Sequence, residues 1–256
     1  MGDRDARRQA VVTGASAGIG AATARALAGA GFAVHLGARR LDRLEEVAAE
    51  IAGTGAVASS ATLDVTSSES IEAFVASCPE TIDLLVNNAG KALGRDRLED
   101  STDESWQGMW ETNVLGLVRV IRALLPRLRR APHAHLIQLG SISGFETYVG
   151  GAGYTASKFG VRALTKTLRL ELLGEPIRVT EICPGLVETE FSVVRFDGDR
   201  EQADAVYQGM TPLTAEDVAD AIAWAATRPP HVNIDEIVIR PRDQATSSDV
   251  YRRGGA

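Results

Sequence analysis

Short, mostly apolar runs alternate along the chain with segments whose apolar residues recur every three or four positions. The first kind reads as strands buried on both faces, the second as helices with one buried stripe. Seven runs qualify as strands: residues 10–13, 33–37, 57–63, 82–87, 135–139, 178–182 and 236–240. Between them, Leu41, Leu44, Val47 and Ile51 keep one helical face apolar, and Ile71, Phe74, Val75 and Cys78 repeat that spacing. Thr214 followed by Glu216 and Asp217 resembles a capped helix start leading into Val218, Ile222 and Ala225. The helices expected at 105–130 and 154–173 are apolar around much of their circumference, which calls for burial beyond one sheet face. Strand and helix alternating throughout is the signature of βαβ units, so the expected fold class is α/β, a doubly wound parallel sheet of Rossmann type.

The interval from about 190 to 212 breaks this pattern with charges, two glycines and no clear period, and is expected to be an irregular substrate lid. No internal repeat or composition shift marks a second domain, so residues 1–256 are read as one domain.

Composition narrows the classes. The 34 acidic residues outnumber the 27 basic ones, and the net charge of −7 would repel a phosphate backbone, so no nucleic-acid partner is expected. Cys78 and Cys183 sit in apolar stretches, against a disulfide framework. The polar start of the chain and the lack of 18 uninterrupted apolar residues predict a cytoplasmic protein without a membrane partner. His35, His133, His135 and His231 have no metal-ligand spacing, and no metal is expected. Trp106, Met109 and Trp110 read as core or subunit contact, and Arg127, Arg129 and Arg130 as a helix C-terminus.

Candidate chemistry gathers at the ends of the expected strands. After the first comes Thr13-Gly14-Ala15-Ser16-Ala17-Gly18-Ile19-Gly20 and an alanine-rich helical run. Glycines there let the backbone turn and approach a pyrophosphate, which free N–H groups and the helix dipole stabilise; a glycine-rich turn with no ligand is the competing reading. After the second, Ala38 stands where an NAD-binding enzyme offers a carboxylate to the ribose, and Arg39 and Arg40 follow. Two cations without the carboxylate point to the 2′-phosphate of NADP(H), against the alternative of two solvated arginines. Asp64-Val65 and Asn87-Asn88-Ala89-Gly90 close the third and fourth strands, where either a cofactor or turn chemistry would use them.

Tyr154 and Lys158 are four residues apart, hence on one helical face. A tyrosine is a poor acid–base group at its ordinary pKa of ~10, and a nearby cation favours the phenolate. Ser141, with Ser143 as its competitor, follows the fifth strand and offers a hydroxyl to a substrate oxygen.

Taken in order, Thr13-Gly-x3-Gly-x-Gly20, Asn87-Asn-Ala-Gly90, Asn113, Ser141, Tyr154-x3-Lys158 and Pro184-Gly185 resemble the motifs of the short-chain dehydrogenases/reductases over nearly the whole chain. The resemblance implies strand order 3-2-1-4-5-6-7, with NADP(H) across the strand C-terminal edge. Tyr154 would exchange the proton, and Lys158 would bind the nicotinamide ribose. Ser141, favoured over Ser143 by its interval to Tyr154, would orient the carbonyl, and Asn113 would support a water-linked relay. Val187 and Thr189 would flank the nicotinamide carboxamide, and a homotetramer would form. Glu190 to Asp199, Tyr207 and Pro229 to Ile234 are similar to the NADP-dependent 3-hydroxy acid (serine) dehydrogenase branch, which implies a short hydroxy acid substrate. Glu146-Thr147-Tyr148 and the tail from Ser247 depart from that branch. Tyr148 and Arg195, the latter between Val194 and Phe196, are candidate substrate contacts, with a carboxylate as the anion Arg195 would meet. An ion pair of Arg195 with Glu188, Glu190 or Asp197 is its alternative. A reductase of secondary-metabolite or xenobiotic ketones and a non-catalytic NADP-binding regulator are the rival functions.

Overall fold

The computed structural model describes residues 7–254. Strands β1 (Gln9–Thr13), β2 (Ala33–Ala38), β3 (Ala58–Thr62), β4 (Leu84–Asn87), β5 (Ala134–Leu139), β6 (Ile177–Pro184) and β7 (Glu236–Ile239) form one parallel sheet in the order 3-2-1-4-5-6-7. Each predicted strand is present with its ends moved by at most two residues.

Alternation along the strands divides the core into two layers. Val12 and Leu36 face α1 (Gly18–Gly29), α2 (Leu41–Gly53) and α9 (Ala215–Ala226), where Leu27, Leu44 and Ile222 pack against them. Val11 and Leu85 face α3 (Ser68–Ser77), α5 (Leu117–Leu128) and α6 (Ala152–Glu171), meeting Phe74, Leu124 and Val161. A side chain of this size fully withdrawn from water contributes about 1.5–3 kcal/mol, and these contacts hold the strand ends in place. The stripe read on α2 is buried at Leu44, Val47 and Ile51, while Leu41, in the first turn, is half-exposed. Thr214 caps α9 reciprocally: its hydroxyl accepts from the Asp217 N–H, and the Asp217 carboxylate accepts from the Thr214 N–H.

The helix expected at 105–130 is α4 (Asp103–Trp110), a π-helical segment (Glu111–Gly116) and α5 in unbroken succession. The expectation of an irregular segment after residue 190 is corrected. It contains α7 (Glu190–Arg195) and α8 (Arg200–Ala205), separated by Asp197 and Gly198 in the left-handed region. Each is six residues long, under two turns, so no apolar stripe repeats. The signals that mark them are their caps, Thr189 and Asp199, the latter holding the Gln202 N–H at 3.0 Å. Among the described residues, no helix is long and apolar enough to cross a membrane.

The order reverses between β1 and β4, so the loops leaving them part and open a crevice at the C-terminal edge of the sheet. The candidate residues converge there.

Candidate active site

At that edge lies one cavity of about 1120 Å³. Gly14, Ser16, Gly18, Ile19, Arg39, Arg40, Asp64, Val65, Asn88, Ala89 and Gly90 line it, together with Ser141, Tyr148, Tyr154, Lys158, Pro184, Gly185, Val187, Thr189 and Arg195. Of the predicted site residues, Gly20 and Asn113 stand behind the wall, and both shape it.

The turn between β1 and α1 requires glycine. Gly14 has φ 65°, and a Cβ there would lie 2.8 Å from Asn88 Nδ2. A Cβ on Gly20 would overlap the Gly14 carbonyl oxygen. Asn88 Nδ2 donates to the carbonyls of Thr13 (2.9 Å) and Gly14 (3.1 Å), while the Thr13 hydroxyl accepts from the N–H groups of Asn88 and Ala89. The Asn-Ala-Gly motif thus pins the glycine loop from the neighbouring strand. The Asn88 side chain is thus used across the fold and not in a local turn.

The helix that follows the turn starts without a side-chain cap, as α2 and α6 also do. Ser67 and Thr214 cap α3 and α9 with side-chain oxygens, whereas α1 begins at Ala17 with no side-chain cap. Ala17, Gly18 and Ile19 face the cavity, so the first-turn N–H groups of α1 are presented to it, a site suited to a pyrophosphate. At the end of β2, Ala38 leaves no carboxylate, and the guanidinium of Arg39 makes no hydrogen bond or close ion pair among the described residues. Arg40 is engaged: it donates to Glu190 at 2.9 Å and to the Ser16 hydroxyl at 3.3 Å. Asp64 holds Thr66, and its carboxyl lies below its ordinary range because hydrogen bonds from Thr66 and the charges of Arg39 and Lys91 outweigh burial, which raises it. These features fit a dinucleotide with an additional anionic group beside Arg39.

The chemical groups meet where β5, β6 and α6 come together. The Ser141 hydroxyl accepts from the Ser143 N–H at 3.1 Å, and of the two serines it is Ser141 that acts on the Tyr154 phenol, favouring its ionised form. Burial pushes the Tyr154 pKa up, and Ser141 and the Arg195 charge pull against it. Two cations stand beside the phenol, Arg195 as well as Lys158, each 5.9 Å from the Tyr154 ring centre. The Lys158 ammonium lies 5.9 Å from the Tyr154 ring centre and donates to the Leu139 carbonyl at 2.8 Å. Burial brings Lys158 down to about 8, opposed by Glu181 and Cys183, so the ammonium predominates at neutral pH.

Asn113 lies in the π-helical segment, a form that recurs at functional sites. Its amide nitrogen donates to the Lys91 carbonyl (2.8 Å) and the Ser157 hydroxyl (2.9 Å), and its oxygen accepts from the Lys91 N–H. The side chain ties the loop after β4 to α6.

At the outer end, Arg195 departs from the ion pairs considered for it: Nε donates to the Gly94 carbonyl and Nη2 to the Tyr148 hydroxyl, both at 2.9 Å. Glu190 is held by Arg40 instead. The guanidinium carbon of Arg195 is 5.9 Å from the Tyr154 ring centre, and Phe191 meets that ring edge-on at 5.7 Å. Lys91 and Arg95 escaped the sequence reading, and Glu190 and Phe191 entered it only within the branch motif or, for Glu190, as an ion-pair alternative for Arg195. Lys91 directly follows the Asn-Ala-Gly motif and was the more accessible of the two.

The geometry, a dinucleotide-sized cleft ending on a Ser–Tyr–Lys group, is that of an oxidoreductase, and comparison assigns the class. Residues 8–199 match the short chain dehydrogenase family, and the chain belongs to it. It is 57% identical over 242 residues to an uncharacterized oxidoreductase of Mycobacterium tuberculosis, covering 94% of each chain. It is 43% identical over 241 residues to the sulfoacetaldehyde reductase of Chromohalobacter salexigens (93% and 95% covered). With the NADP-dependent 3-hydroxy acid dehydrogenase of Schizosaccharomyces pombe the identity is 42% over 248 residues (95% and 96%). Among solved structures it is similar to the closed form of serine dehydrogenase with NADP+, with TM-score 0.89, 42% identity and coverage of 96% and 100%. The likeness to the 3-hydroxy acid (serine) dehydrogenase branch is borne out as kinship.

Proposed function

We propose that the protein interconverts a short, anionic hydroxy compound, foremost a 3-hydroxy acid, and its carbonyl form with NADP(H). The cofactor, when bound, supplies or takes the hydride. Arg39 would meet its 2′-phosphate, joined by Arg40 once that side chain leaves Glu190, and the uncapped start of α1 would hold the pyrophosphate. Lys158 would bind the nicotinamide ribose, and Pro184, Gly185, Val187 and Thr189 would line the nicotinamide end. Ser141 would hold the substrate oxygen while Tyr154 gives it a proton in reduction and takes one in oxidation. The segment 190–212 would close over the substrate.

One observation carries the choice of an anion. Arg195 stands in the cavity wall beside Tyr154 without a carboxylate partner, bound only to a neutral carbonyl and a phenol. A guanidinium so placed is suited to an acidic group on the substrate. The named relatives act on a sulfonated aldehyde and a 3-hydroxy acid, both anionic, which supports the same reading. The intact Ser141–Tyr154–Lys158 group favours an enzyme over a cofactor-binding regulator.

The test compares substrates on Arg195→Ala. The KM of a 3-hydroxy acid should rise by an amount corresponding to a charge-assisted bond, ~1.5–3 kcal/mol, with neutral alcohols of similar size unaffected. An equal loss for both would mean that Arg195 organises the lid through Gly94 and Tyr148 and reads no charge; the neutral-ketone reading would then stand. Assembly belongs to the same proposal. Trp110, Leu115 and Phe159 are exposed apolar residues on or between α4 and α6, which supports a homotetramer built on these helices. Light scattering that gave a monomer mass would overturn it.

A further inference from the structure

A row of polar side chains crosses the sheet under α6, one step below the site. In register, Asn87 of β4 pairs with Gln138 of β5, Gln138 with Glu181 of β6, and Glu181 with Glu236 of β7. Partners in parallel strands point to one face, and two residues earlier on these strands Leu85, Leu136 and Val179 pack with Val161 of α6. The row therefore lies on the α6 face, toward the catalytic edge.

Its members are sealed from solvent and under-bonded. Asn87, Gln138 and Glu181 are 4%, 0% and 1% exposed. Asn87 Nδ2, both amide atoms of Gln138 and Glu181 Oε1 have no hydrogen-bond partner. Four unpaired polar atoms along one row is a costly arrangement unless ordered water bridges them. Room for the carboxyl comes from Gly140, whose Cβ, were it present, would overlap Glu181 Oε1. Gly140 is flanked by Leu139, whose carbonyl takes the Lys158 ammonium, and by Ser141.

The ionisable groups around Glu181 are Lys158 and Arg162 from α6, Cys183 on its own strand and Glu236 on β7, with Tyr154 beyond Cys183. β5 contributes Gln138, which does not titrate. Cys183 and Glu236 lie within 4.8 Å of Glu181, but the trio is not a cation site: Arg162 already holds Glu236 at 2.7 Å, and burial pushes the thiol well above its usual range. Burial raises the Glu181 carboxyl, with Arg162 opposing. The Glu236–Arg162 pair, 27% and 19% exposed, is the outer end of the row.

We propose that Glu181 is a positioning residue for the reaction, passing protons between the solvent-side Glu236–Arg162 pair and Lys158 through water held by the buried row. The inference rests on the reading of Tyr154 and Lys158 as the proton-handling pair. In carbonyl reduction the Tyr154 Oη–H bond breaks and its proton goes to the carbonyl oxygen as the hydride reaches the carbon. The phenolate takes a proton from the Lys158 ammonium. The Glu181 carboxylate takes a proton from solvent at the Glu236 end and passes it through water to the amine, returning to its ionised form. One proton is consumed per turnover, and oxidation runs the steps in reverse.

An ionised Glu181 favours the ammonium form of Lys158, a contribution that the amide of Glu181→Gln lacks. The alkaline limb of the kcat profile for reduction should therefore move to lower pH by about half a unit or more, with NADPH affinity at neutral pH unchanged. Glu181→Asp should reverse that shift at least in part. A Glu181→Gln profile that overlays the parent, or a shift that Asp does not reverse, overturns the proposal. Should the Gln variant not fold, Gln138→Met, which removes a water-holding amide and leaves every charge in place, should lower kcat severalfold without moving the limb; an unchanged kcat is the contrary result. Tyr154→Phe run alongside separates the two ideas. If it retains turnover, the catalytic reading itself has failed; if it is inactive and Glu181→Gln is normal, only Glu181 is misassigned.

Discussion

The two walls of the cleft are built on different principles. On the side of β1, α1 and β4 the surface offered to a ligand is backbone: glycines without Cβ atoms, the open N–H groups of α1, and carbonyls held by Asn88. On the side of α7 and α8 the surface is side chains held by other side chains or by distant carbonyls. Arg195 reaches Gly94 and Tyr148, Ser192 shares a 2.6 Å hydrogen bond with Tyr207, and the Arg252 guanidinium in the tail grips the Gln208 and Val206 carbonyls. The backbone wall fits what every such reaction shares, a diphosphate and a nicotinamide. The side-chain wall is where substrates differ, since a side chain can be exchanged without disturbing the sheet.

That division predicts what each wall should do when altered. The junction of the two, Tyr154, should show the largest effect. Tyr154→Phe keeps the ring and its packing and removes only the transferable proton, so kcat should fall by ~10²–10⁴-fold while NADPH titrations stay nearly unchanged. Full activity in that variant would remove the phenol from the chemistry.

On the backbone wall, Arg39→Ala should weaken NADPH binding by a charge-assisted hydrogen bond, ~1.5–3 kcal/mol, and leave NADH binding alone, because only the 2′-phosphate distinguishes them. Equal losses for both cofactors would show that Arg39 acts on the loop. Gly20→Ala should lower stability by about 1–3 kcal/mol in denaturant melts, since the added methyl overlaps the Gly14 carbonyl and the loop must shift. NADPH affinity should drop with it. A fully stable variant with normal affinity would mean that the close approach at Gly20 is not what shapes the turn.

The smallest effect should come from Thr214→Ala, which does not line the cavity. Loss of the α9 cap should cost about 1 kcal/mol in stability with kcat and KM unaltered for every substrate. A change in KM there would mean that α9 communicates with the lid, through the bridge between Val187 and Leu213, and the two-wall picture would need a third element.

How much of this was legible in the chain follows from the range over which each feature is dictated. The strands, the glycine turn, the Tyr154–Lys158 face and the absence of a carboxylate at Ala38 are encoded in a few consecutive residues or in one period, and each was read from them, while the strand order followed from the family resemblance. Pairings across the fold have no such local code. Asn88 binds Thr13 and Gly14 across 75 and 74 positions, Arg195 binds Gly94 across 101, and Arg40 meets Glu190 across 150. Charge and spacing made Glu188, Glu190 and Asp197 the natural partners for Arg195. The crossing of chain segments at the sheet edge gave it a carbonyl and a phenol instead, and gave Glu190 to Arg40.

The sequence by itself determined the fold class, the glycine turn at the cofactor edge and the placing of Tyr154 and Lys158 on one helical face, because periodicity, glycine sterics and helical spacing are properties of neighbours along the chain; the strand order was implied by the family resemblance that those motifs carry. Only the tertiary structure decided that Asn113 is a tie between Lys91 and Ser157, that α7 and α8 form part of the cleft, and that Glu181 lies buried beside the Lys158 site. Those outcomes depend on which groups meet after the sheet twists and the helices pack. A hydrogen bond over 100 residues leaves no trace in the residues between its ends.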